Sequence, residues 1–128
     1  MKTDFAHHLG KTVRKRIIQE LIAEYGNRKL AEMLGVSPAA ISKYAAGLMH
    51  PSDATMSKAL KIAEGRLRSK IAKLIVYDLA SALSSALDTY DESIEWSKEL
   101  EELYLKLALK RPYYMGDRRK LLVPRPST

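Results

Sequence analysis

Apolar residues recur at three- and four-residue steps along most of this chain, and no window alternates apolar with polar side chains over the length of a strand. That period belongs to the α-helix, and Val, Ile and Thr never cluster as strand formers would. The pattern predicts an all-α protein. A first helix is expected over about residues 12–25, with Ile17, Ile18, Leu21, Ile22 and Tyr25 on one face. Gly26 offers a left-handed stop and Asn27 an N-cap for a short second helix ending at Leu34, whose inward residues are Leu30, Ala31 and Leu34. Gly35 stops that helix. Ser37-Pro38 then restarts the chain, because serine caps a helix and proline at its first position gives up no hydrogen bond.

The third helix ends before Gly47, and a loop over residues 48–51 leads to Ser52, the expected cap of a fourth helix reaching Ala63. Its inward positions are Ala54 or Thr55, Met56, Leu60, and Ile62 or Ala63. A longer fifth helix is expected from Arg66 to about Leu87, with Leu67, Ile71, Leu74, Ile75, Leu79, Leu83 and Leu87 in step. Asp88 or Thr89 then caps a sixth, which carries Asp91, Glu92 and Glu95 near the positive end of its dipole and stops at Pro112. This reading divides the chain into a compact unit over residues 1–65, a long helical hairpin over 66–111 and a basic Pro/Arg-rich tail over 112–128.

Residues 27–47 have the spacing of two short helices crossing through a tight turn. Ala31 is small where a second helix approaches, and Gly35 sits where the turn wants positive φ. Val36, Ile41 and Tyr44 point back to a core shared with Leu30 and Leu34. Ser37, Pro38, Ala39, Ser42, Lys43 and Ala46 remain outward, the face such a helix offers to a major groove.

This block resembles the helix-turn-helix of the Cro/repressor-like (XRE) transcription regulators. The likeness continues through Gly47, Pro51-Ser52 and Leu60-Lys61-Ile62-Ala63, covering about residues 12–64. It implies that Asn27 and Arg28 meet a phosphate at the second helix's N-terminus, where dipole, amides and guanidinium act together. It further implies that Ser37, Pro38, Ala39, Ser42 and Lys43 face bases or near backbone, with His50 and Ser52 as a second phosphate contact. The outward face lacks Arg, Gln and Asn, the side chains that make bidentate base pairings. Lys43 can reach a guanine edge and Ala39 a thymine methyl, so shape and phosphate contacts are expected to supply much of the affinity.

Charge supports a nucleic-acid partner and divides the chain. Residues 1–73 hold 14 Lys/Arg against 6 Asp/Glu, residues 74–110 hold 3 against 8, and the last eighteen hold 5 against 1. Arg14, Lys15 and Arg16, and later Arg66, Arg68, Lys70 and Lys73, either border DNA or form solvated faces. In the tail, Tyr113 and Tyr114 precede Arg118, Arg119 and Lys120, a mixture compatible with nucleic acid; its Leu121, Leu122 and Val123 are expected to dock.

One such unit reads one half-site, so a homodimer is expected. Leu79, Leu83 and Leu87 lie among small residues that admit a second helix, while Leu103, Leu105 and Leu109 put apolar groups on more than one side of the last helix. An intrachain hairpin is the alternative use of those faces.

Other chemistry is poorly supported. The chain has no cysteine, its three histidines lack ligand spacing, and no phosphate-binding glycine loop or nucleophile motif occurs, so no enzyme, cofactor or metal site is expected. Glu99, Glu101 and Glu102 share their helix with Lys98, as on a solvated face. Apolar runs are too short to span a membrane and the N-terminus lacks a secretory apolar core, which points to the cytoplasm. The expected function is sequence-specific regulation of transcription on double-stranded DNA. A non-specific architectural protein, or an antitoxin-like adaptor presenting its acidic helix, are the alternatives.

Overall fold

Helix α1 (Lys11–Tyr25) organises the fold because its apolar stripe is continuous. Ile17, Ile18 and Leu21 are completely buried, each removing enough apolar surface from water to stabilise the fold by about 1.5–3 kcal/mol. The computed structural model of the chain describes residues 2–110. Around α1 pack α2 (Asn27–Leu34), α3 (Pro38–Ala46), α4 (Asp53–Ile62) and α5 (Gly65–Thr89). No strand occurs among the described residues, so the protein is all-α with a helix-turn-helix, as the periodicity predicts. None of these helices is long and apolar enough to cross a membrane.

Residues from each element meet in one core. Leu30, Ala31 and Leu34 of α2, Ile41 of α3 and Met56 and Ala59 of α4 are buried against the α1 stripe, and Tyr44, Leu60, Ala63, Ile71 and Ile75 join them. Three further members, Ala6, Leu9 and Val13, come from the N-terminal segment and lie outside the expected faces. Ala6 lies within a 3-10 turn over Asp4–His8, whose three-residue repeat does not continue the α1 register, Leu9 follows that turn, and Val13 sits in the first turn of α1. The first half of α5 packs on α1, where Lys70 also reaches Glu20 at 3.0 Å. Leu67, Leu74 and Leu79 are half-buried there, whereas Val76 and Tyr77 face solvent.

The described chain forms two compact units, the first ending at Thr89 and the second beginning at Tyr90. In the second, a 3-10 turn over Asp91–Ser93 precedes α6 (Lys98–Leu109). This corrects the expected start of the sixth helix. Thr89 does not cap it; its hydroxyl donates to the Ser85 carbonyl within the last turn of α5. The cap is Ser97, whose hydroxyl accepts the Leu100 amide, and Trp96 brackets the new turn by donating to Glu101 and meeting Tyr104 edge-on. Asp91, Glu92 and Glu95 therefore precede the helix, and Glu99 and Glu101 occupy its first turn. The tail over residues 112–128 lies outside the described residues.

Candidate nucleic-acid interface

Local chemistry places α3 before any long-range contact acts. Ser37 is its N-cap, its hydroxyl accepting the Ala40 amide at 3.0 Å, and Pro38 occupies the first turn. Gly35 adopts φ 70° and ψ 33° at the end of α2, which lets its N–H reach Glu32 and the Val36 N–H reach Ala31. This pair of bonds, a Schellman motif, turns the chain sharply into α3. Ile41 and Tyr44 then bury one side of α3, and Ser37, Pro38, Ala39, Ser42, Lys43 and Ala46 stand exposed on the other.

Longer contacts set the orientation of that helix. Gln19 of α1 donates from its side chain to the Ala45 carbonyl at 2.9 Å. Asn27 donates from Nδ2 to the Ser42 hydroxyl, also at 2.9 Å, linking the start of α2 to the outward face of α3. The expected capping role of Asn27 is corrected here. Gly26, with φ 80°, takes the cap position, no side chain caps α2, and Asn27 is its first helical residue. An uncapped start leaves the first amides of α2 available beside exposed Arg28.

The loop between α3 and α4 is held from beneath by Arg14, a residue expected at the surface. The residue is only 8 % exposed, and its guanidinium donates to four acceptors at 2.7–2.9 Å. They are the carbonyls of Ala6, Leu9 and Pro51 and the carboxylate of Asp53. The N-terminal segment and the distant loop before α4 thus share one cation, a role that a basic run does not announce. His7 Nδ1 meets the other Asp53 oxygen at 2.8 Å. The His7 hydrogen bond, and after it that from Arg14, hold the Asp53 carboxyl below its ordinary value of 3.8. Ser52 caps α4 by accepting the Thr55 amide, so the loop ends in a fixed helix start. His50 and Ser52 are exposed on it.

The nine side chains expected at DNA thus lie on α2, α3 and the loop that follows, eight of them exposed and Asn27 half-buried. Sequence reasoning missed the buried role of Arg14 and overlooked Gln19 and the exposed loop residues Leu48 and Met49. The last two were legible as apolar residues at a place where the pattern assigns no core position.

This geometry agrees with a helix-turn-helix family model, which matches residues 18–64. Residues 18–64 are thus similar to the Cro/C1-type helix-turn-helix, a domain found in DNA-binding transcription regulators. The matched range takes in α2, α3 and α4 whole and the C-terminal half of α1. No curated protein and no solved structure matches the chain.

Proposed function

We propose that the protein is a sequence-specific transcriptional regulator that inserts α3 into the major groove of double-stranded DNA. The observation that carries this is the two-sidedness of α3. Ile41 and Tyr44 are buried, while Ser37, Pro38, Ala39, Ser42 and Lys43 form an exposed face without an acidic side chain. Asn27, Arg28, His50 and Ser52 flank that face and take the phosphates, so they set register while α3 reads bases. Lys43 is the side chain with reach to a guanine edge, and Asn27 orients the Ser42 hydroxyl for its contact.

We further infer that two copies act together, with residues 66–111 as the pairing region. On α5, Leu83 is exposed and Leu79 and Leu87 are half-buried beside exposed Val76 and Tyr77. On α6, Leu103, Leu105 and Leu109 are exposed along with Leu107, an apolar surface that a second copy would cover. A two-fold pair suits two half-sites about 34 Å apart.

Selection of bound sites from a random duplex pool, with the oligomer's mass measured alongside, tests this reading. A selected site should outcompete random duplex by a large ratio that survives ~0.2 M salt. Lys43→Ala should weaken that site by about 1–3 kcal/mol and relax discrimination at one base pair. A ratio near one would replace regulation with architectural binding, and absence of duplex binding would leave an adaptor.

A further inference from the structure

We infer that Leu48, with Met49 beside it, is an apolar reader that packs against thymine methyl groups at the edge of the duplex contacted by α3. The inference rests on the DNA-binding reading and assigns a specificity role to two residues outside the expected set.

The backbone makes these side chains prominent. Gly47, at φ 76° and ψ 12°, ends α3 in a Schellman motif: its N–H reaches the Tyr44 carbonyl at 3.1 Å and the Leu48 N–H reaches Lys43 at 2.9 Å. The Met49 N–H shares that Lys43 carbonyl at 3.3 Å. Below, Lys15 packs under Gly47, and Arg14 holds the carbonyl of buried Pro51. The loop is therefore anchored at both ends, and its display of Leu48 is set by hydrogen bonds.

The same motif occurs twice in the domain, which supplies an internal comparison. Residues that follow the turning glycine ordinarily pack an apolar side chain back on the last turn of the helix. After Gly35 that residue is Val36, packed against the core near Ala31. After Gly47 it is Leu48, and the last turn offers Ser42 and Lys43, the polar residues assigned to the bases. Leu48 is consequently 77 % exposed and Met49 42 %. An apolar pair displayed beside a base-reading face needs a cover, and continuity with that face identifies it. Among the base edges of the major groove, the thymine C5-methyl is the apolar group, and side chains of this kind recognise it by contact. The two residues supplement an α3 that carries few hydrogen-bonding readers.

The experiment uses the full chain and a duplex selected from a random pool, with deoxyuridine replacing each thymine in turn. That replacement removes the methyl and leaves the pairing edges unchanged. The wild type should lose roughly three- to tenfold in affinity at one thymine near the end of the half-site. Leu48→Ala, whose denaturation midpoint should be unchanged, should show that loss on the thymine site and be indifferent to uridine there. The inference is overturned if thymine and uridine sites bind alike, or if Leu48→Ala leaves the discrimination intact. It is equally overturned if that variant weakens every duplex evenly or breaks up the free oligomer, which would place Leu48 on sugars or on protein. Absence of binding to any duplex would sink the DNA-binding reading itself, a result distinct from all the others.

Discussion

Removing the Arg14 guanidinium tests how the loop between α3 and α4 is held. Arg14→Met keeps the apolar stem and deletes a group that donates to Ala6, Leu9, Pro51 and Asp53. Asp53 is exposed and regains water, so its share of the loss is small. The three carbonyls matter more, because each loses a charged donor at 2.8–2.9 Å in a largely buried setting. At about 1 kcal/mol net for each, the sum is about 3 kcal/mol. In a unit of this size that lowers the melting temperature by on the order of 15 °C. Urea and thermal unfolding followed by helical circular dichroism would measure it at pH 7. Arg14→Lys should fall between the two, since one ammonium carries three donors for four acceptors. Amide exchange over residues 47–52 should accelerate in both variants well below global unfolding. A loss under about 1 kcal/mol with unchanged loop exchange would refute the reasoning, because water would then replace the guanidinium freely.

Three further outcomes test other parts of the structure. Gly47→Ala forces a Cβ into left-handed backbone and to 3.4 Å from Lys15, so it should cost about 1–2 kcal/mol in urea unfolding. Because the folded Asp53 carboxyl sits below 3.8, the stability it contributes is fully present above that pH and disappears as pH falls through the folded value. Asp53→Asn should therefore differ from wild type at pH 6, and urea midpoints of the two should converge below pH 3.8. Ile41→Ala opens a cavity beneath α3 where exposure is zero, and a calorimetric loss of about 2–5 kcal/mol is expected.

Much of the fold was legible because its signals act over a few residues. Ser37 and Ser52 cap helices whose first turns they touch, and Gly35 and Gly47 take the left-handed turns that end α2 and α3. Such interactions close rings of known size, so spacing alone reveals them. The start of α6 shows where local signals mislead: Thr89, expected as its cap, remains inside α5, and the structure caps the helix at Ser97, where Trp96 donates to Glu101.

From the sequence alone came the all-α class, the buried faces of α2 and α3, most of those of α1 and α4, and the outward set on α3, since each follows from periodicity and backbone preference; Val13 and Ala59 were missed. Tertiary structure alone decided what the polar side chains do beyond their own helix turn. Arg14 became a buried clamp because Ala6, Leu9 and Pro51 converge on it. Asn27 bonds Ser42 because two helices cross there, and Leu48 is bare because the turn before it delivers it beside Lys43. A periodic pattern specifies which way a side chain points from its own helix. It carries no information on which distant carbonyl or carboxylate arrives there, because that depends on how the helices pack.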